Sequence, residues 1–196
     1  MTCRLSGNVL KRKILCIAFG AYLFLCISEL HALTDKDFTV YRDDTYKFSL
    51  HYPQNWSPVP PTHKKTRIKI VNENGSGDCD CGVNVQYVPE IKNMQTKDAI
   101  AQISDPKIIQ KNLRSSIPDA TIIKNGRTFL SNQEAIYHIV KFTFRSFGLE
   151  VPIKMIMIQT VKREYVYTVS CRTSSDRFDE MMPMFQLIIA GFIFQP

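Results

Sequence analysis

The sequence predicts an α+β fold: an α/β/α sandwich whose central antiparallel sheet of about six to seven strands carries helices on both faces. Three features of the 196 residues lead there. Residues 121–130, 135–147, 151–161 and 165–173 are rich in β-formers and joined by short polar or Gly-containing links, the pattern of an antiparallel meander. Residues 96–117 and 178–192 instead carry apolar side chains at helical spacing. Finally, Ile153, Met155 and Met157 point to one side of their strand and Ile156 and Ile158 to the other. Both faces of such a sheet need cover, and the helices supply it.

The chain opens with Lys11-Arg12-Lys13, then an uncharged run of 14 residues, 14–27, then Ser28-Glu29-Leu30-His31-Ala32. Basic, apolar and small-residue regions in this order form a secretory signal peptide, 1–32. Glu29 stops the run well short of the roughly 20 apolar residues that span a bilayer. Cleavage near Ala32 is expected, leaving one domain, 33–196, without a transmembrane span in the periplasm or outside the cell. Leu15 and Leu25 precede Cys16 and Cys26, where a lipidated Cys follows a small residue, so a lipid anchor is not expected. Removing 1–32 lowers the formal charge from +7 to +4, with 21 basic and 17 acidic residues left. That balance argues against nucleic-acid or polybasic membrane binding.

Residues 34–44 read as a polar lead-in. Tyr46, Phe48, Leu50 and Tyr52 then alternate with Lys47, Ser49 and His51 in a half-buried strand. Pro53 and the stretch Ser57-Pro58-Val59-Pro60-Pro61 predict that the chain leaves the sheet there. Residues 67–71 and 83–88 are the next strands, joined by a polar, Gly-rich loop, 72–81. Asp105-Pro106 fits an N-cap followed by Pro at the first helical position, which splits 96–117 into two short helices. In the last segment Phe178, Met181, Phe185, Ile188 and Phe192 form one apolar stripe, and Pro183 predicts a kink or a division of that helix.

Asp78-Cys79-Asp80-Cys81 is the most reactive-looking stretch. Two thiols and two carboxylates in four residues suit a soft metal or disulfide exchange. Cys-x-Cys is incomplete as a zinc motif, because no second Cys or His pair stands nearby in sequence. After residue 32 three cysteines remain, Cys79, Cys81 and Cys171, and the preferred reading is a structural disulfide from Cys171 to either Cys79 or Cys81. A Cys79–Cys81 bond would close a very small, strained ring. The same loop, with Asn74, Asp78 and Asp80, is a candidate partner-docking loop. Lys64, Lys65 and Arg67, beside His63 and Lys69, form a basic cluster able to face an anionic partner such as acidic lipid headgroups; the alternative is protection of a sheet edge.

His138 alternates with Ile136, Val140 and Phe142 and reads as a core histidine with a hydrogen-bond partner. Trp56 reads as a turn anchor, and Met181, Met182 and Met184 as helix-face packing. No G-x-S-x-G, Walker A, G-x-G-x-x-G, H-E-x-x-H or EF-hand pattern is present. No catalytic, cofactor-binding or metal-binding residue is assigned.

Two stretches carry a family resemblance. Tyr46-Lys-Phe-Ser-Leu-His-Tyr-Pro-Gln-Asn-Trp56 resembles the first strand of PsbP-like domains, where an aromatic-alternating strand ends in a Tyr-Pro-x-x-Trp turn. Tyr165-Val-Tyr-Thr-Val-Ser170, followed by Phe178, Pro183, Phe185 and Ile189-Ala-Gly-Phe192, resembles their end, with Gly191 where the family usually has Ser. The superfamily includes an extrinsic subunit of the photosynthetic oxygen-evolving complex, a Ran-binding nuclear import factor (the Mog-like branch) and many exported bacterial proteins. The resemblance implies a non-catalytic binding or assembly module of the cell envelope, without a cofactor, partnered by a protein or envelope component and monomeric or weakly oligomeric. The competing reading is a thiol-redox or metal-handling protein built on Cys79 and Cys81. A hydrolase would require a concave cluster of ionisable groups.

Overall fold

The computed structural model describes residues 37–72, 79–146 and 148–196. The expected signal peptide, 1–32, and the expected docking-loop residues Asn74 and Asp78 lie outside them. Along the described chain run β1 (Phe38–Asp43), β2 (Phe48–Pro53), β3 (Trp56–Val59), β4 (Thr66–Asn72), β5 (Asp80–Tyr87), α1 (Thr96–Ile103), α2 (Pro106–Ser116), β6 (Thr121–Leu130), β7 (Gln133–Ser146), β8 (Leu149–Lys162), β9 (Tyr165–Ser174), α3 (Phe178–Ala190) and β10 (Phe192–Phe194).

Among the described residues seven strands form one antiparallel sheet, as expected, in the order β3-β4-β5-β9-β8-β7-β6. The chain lays down β3 to β5, crosses one face through α1 and α2, and returns from the far edge as the meander β6 to β9. The expected division of side chains along β8 holds. Ile156 and Ile158 enter the core with Ile70, Val169, Phe185 and Ile188 on the α3 side. Ile153, Met155 and Met157 face the other way, packing with Val140 and Phe142, while Ile100 and Ile109 of α1 and α2 seal Ile136, Val161 and Val166. Each of the fully buried apolar side chains among them, which excludes the half-buried Met155 and Met157, stabilises the fold by about 1.5–3 kcal/mol relative to exposure. Asp105 caps α2 as predicted, accepting the Lys107 N–H at 2.8 Å, with Pro106 in the first turn.

Four expectations are corrected. The lead-in is a strand: β1, β2 and β10 form a separate three-stranded sheet in the order β1-β2-β10. The proline-rich exit leaves that small sheet but enters the large one, because β3 is an edge strand, where Pro58 removes no central hydrogen bond. The last helix stops at Ala190, and Phe192 belongs to β10. Pro183 does not divide that helix.

Gly191 explains the stop. Its carbonyl accepts the His51 N–H at 2.9 Å, and a Cβ there would overlap the His51 carbonyl oxygen. Only glycine lets the end of α3 touch β2 closely enough to start β10. The small sheet is further tied to the large one through Asp43, whose carboxylate accepts the Thr45 and Tyr46 N–H groups at 3.1 and 3.0 Å and pairs with Arg67 at 3.2 Å. Tyr167 of β9 adds a buried bond, donating its hydroxyl to the Tyr46 carbonyl at 2.9 Å. Burial pushes that phenol's pKa up to about 12, so it stays a donor at any physiological pH.

His138 is 2% exposed, and neither ring nitrogen has a partner among the described residues. The partner expected for it is therefore missing, and burial holds its pKa below the ordinary value.

Two outcomes follow for stability. Gly191→Ala should lower the denaturation midpoint by the equivalent of about 1–3 kcal/mol, the usual cost of forcing an atom into packed backbone; an unchanged midpoint would show that this junction opens freely. Burial makes the folded chain hold the His138 proton less readily than the unfolded chain, which takes it up near pH 6.5, so stability is lost on acidification through that range. Denaturant melts between about pH 7 and pH 5 should therefore fall more steeply for the natural protein than for His138→Leu, and equal slopes would contradict the account.

Candidate functional site

The crossover helices cover only part of their face. Over β4, β5, β9 and β8 the same face lies open as a groove of about 720 Å³. Period-2 alternation builds its floor: Asn84 and Gln86 interrupt the valines of β5, and Thr168, Ser170 and Arg172 alternate with buried Tyr167, Val169 and Cys171 on β9. Antiparallel register then sets polar residues side by side. Thr66 donates to Asn84 Oδ1 at 2.6 Å, and Gln159 donates to Thr168 Oγ1 at 3.1 Å. The Gln159 Oε1 atom is buried without a partner among the described residues.

Asp80 sits directly opposite Arg172 in the β5–β9 register. Its Oδ2 is 2.9 Å from Arg172 Nε and 3.3 Å from Lys69 Nζ. Two cations thus clamp one carboxylate. Lys65 donates to Gln86 Oε1 at 3.0 Å, and the Lys65 carbonyl accepts the Val85 N–H at 2.9 Å, which lashes the basic segment to β5. Lys64, Lys65, Lys69 and Arg172 against Asp80 make four cations to one anion, a local +3 with His63 neutral. The groove is concave and ionisable, and among the described residues no hydrogen bond joins His63 to Ser116 or Ser170.

The predicted site residues are thus partly brought together. Lys64, Lys65 and Asp80 share the groove. Arg67 does not: the bulge between Thr66 and Ile68 turns it to the opposite face, where it pairs with Asp43 and stacks over the Tyr46 ring at 4.6 Å. Among the cysteines, Cys81 and Cys171 form the disulfide, at directly opposed positions of β5 and β9 with Cα atoms 4.0 Å apart. Cys79 is buried outside that bond. Among the described residues no group of three or more His, Cys, Asp or Glu is arranged to hold a metal. Asn84, Gln86, Gln159 and Arg172 were not picked out from sequence. Their signal, polar residues at alternate positions of otherwise apolar strands, gains meaning only once the register of β5, β9 and β8 is known.

Similar proteins share this architecture. The solution structure of cyanobacterial PsbP (CyanoP) from Synechocystis sp. PCC 6803 aligns with a TM-score of 0.57 at 15% identity, covering 86% of this chain and 99% of that one. LpqN, involved in cell envelope biogenesis of Mycobacterium tuberculosis, aligns at 0.54 with 10% identity over 85% of this chain and 88% of its own. A Bacteroides thetaiotaomicron protein aligns at 0.51 with 13% identity, covering 82% of this chain but 49% of its own length. At these identities the likeness is one of fold. No curated protein matches the sequence significantly. The sequence profile of the PsbP family matches residues 36–194, from the start of β1 to the end of β10, and the chain belongs to the PsbP family.

Proposed function

We propose that the protein is an exported, non-catalytic binding or assembly module of the cell envelope, and that its open basic sheet face receives an acidic partner. The observation that carries this reading is the groove itself. Four cations and one clamped carboxylate surround a floor of amide and hydroxyl groups, a surface suited to carboxylate or phosphate groups. Export is supported by the basic-apolar-small pattern of residues 1–32 and by a disulfide that persists in oxidising compartments. The PsbP-like domain then comprises residues 33–196. LpqN, with a similar fold, is involved in envelope biogenesis, which is consistent with this placement.

The thiol-redox reading has less support. Cys81 and Cys171 are both 0% exposed within their bond, and Cys79 is 1% exposed. Thiol exchange needs an accessible thiolate.

The test is a photo-crosslinking residue in place of Gln86, in the soluble extracytoplasmic fraction of the protein's own host. A discrete crosslinked partner is expected, reduced at least ten-fold in yield by the double variant Lys64→Glu/Lys65→Glu and unaffected by Cys79→Ser. Undiminished crosslinking in the charge-reversed protein would refute the groove as the docking face. Loss of the product in Cys79→Ser alone would favour the thiol reading.

A further inference from the structure

The strand at the far edge of the large sheet is built to accept another strand. β6 pairs with β7 and, among the described residues, with nothing on its outer side. Sheet edges are ordinarily kept from pairing by shortness, proline, bulges or charged side chains, and on β6 the charges are Lys124 and Arg127, which oppose a like-charged strand rather than an acidic one. The opposite edge follows that rule, since β3 has four residues and contains Pro58. β6 has ten residues and no proline. Its bulge lies between Ile122 and Lys124, which leaves residues 124–130 regular. The end of this stretch is held in place: Ser131 and Asn132 close the turn to β7 in left-handed conformation (φ 49° and 62°), and Ser131 Oγ accepts the Phe194 N–H at 2.8 Å.

Two cavities open at this edge, one on each face of the sheet. The first, about 460 Å³, lies toward α3, with Tyr137 and Ile139 as floor and Met182 and Ile189 as wall. The second, about 400 Å³, lies toward α1 and is bounded by Ile100, Ala101 and Ile136. Thr128 and Phe129 border both cavities, and Phe129 is 69% exposed. Successive side chains of a strand point to opposite faces. A strand laid against residues 128 and 129 therefore directs one side chain into each cavity.

The charge around the edge selects the occupant. Lys124 borders the first cavity, and Lys97 and Arg127 border the second against Glu134 alone, three cations to one carboxylate, or +2. A second copy of β6 would bring another Lys124 and Arg127 to the shared edge with no acidic residue of β6 to meet them, and like charges across a strand pair are unfavourable. An acidic segment meets complementary charge instead.

We propose that β6 binds an extended acidic peptide segment of a partner protein as an eighth strand, with two consecutive apolar residues in the two cavities and acidic residues beside Lys124 and Arg127. Main-chain hydrogen bonds supply affinity in this mode, and the cavities and charges supply selectivity. This surface is separate from the basic groove, and the inference stands whether or not the groove binds anything.

The test uses the protein without its signal segment and a fluorescent decapeptide, Glu-Thr-Thr-Glu-Ile-Val-Glu-Thr-Thr-Glu, in which Ile-Val laid against residues 128 and 129 sets Glu opposite both Arg127 and Lys124 in either strand direction. Saturable binding is expected, with slowed amide exchange confined to β6. Alternate backbone N-methylation of the peptide should weaken binding at least ten-fold, as should Arg127→Glu, an exposed position where folding is not at stake. Lys64→Glu/Lys65→Glu should leave the affinity within two-fold. Absence of saturable binding, equal binding of the N-methylated peptide, or slowed exchange elsewhere would overturn the proposal. Concentration-dependent dimerisation that protects β6 in the peptide's absence would overturn it in favour of self-pairing.

Discussion

The ladder between β5 and β9 is the constraint on which the rest of this structure depends. The large sheet is made in two instalments, β3 to β5 before the crossover helices and β6 to β9 after them, and among the described residues β5–β9 is their one line of pairing. Cys81 and Cys171 join the two strands across it, 90 residues apart in sequence. Closing so long a loop in the unfolded chain is worth about 4–5 kcal/mol in the chain-entropy account. That is a large fraction of the stability of an ordinary domain. The bond lies on the α3 face, fully buried among Ile70, Val169 and Ile156, so packing and covalent restraint act at the same place.

The same seam generates the groove. On the face opposite the disulfide it brings Asp80 level with Arg172, and Asn84 level with Thr168. Because α1 and α2 pack toward β7 and the far end of β8, this half of the face stays open. An apolar floor left open would be a liability in water. Hydrogen-bonded polar pairs and a clamped carboxylate let it remain both open and rigid. The family resemblance and the groove thus say different things: the first concerns how the chain folds, the second what it is able to hold.

Much of the fold was legible because it rests on local periodicity. The two-faced apolar pattern of 153–158 predicted cover on both sides of the sheet, and Asp105-Pro106 predicted where α2 begins. The features missed are those set by distant partners. Residues 34–44 read as a polar lead-in because charges flank Phe38, Thr39, Val40 and Tyr41, and pairing with β2 is what makes 38–43 a strand. Phe192 continues the helical spacing of α3, yet Gly191 must sit against His51, and that contact ends the helix. Arg67 belongs by sequence with Lys64 and Lys65, but a one-residue bulge sends it to the other face, toward Asp43. The cysteine pairing was narrowed to two choices, and register decides between them: Cys81 lies opposite Cys171, and Cys79 lies beyond the start of β5.

The most direct test of the seam is amide hydrogen exchange, followed strand by strand, on the oxidised protein and on Cys81→Ser/Cys171→Ser. The account predicts that the variant loses about 2–5 kcal/mol of global stability, with the first loss of protection in β4, β5 and β9 while β7 and β8 stay protected longest. Protection factors that fall equally in all strands, or that do not fall at all, would contradict the claim that this junction holds the two halves of the sheet together.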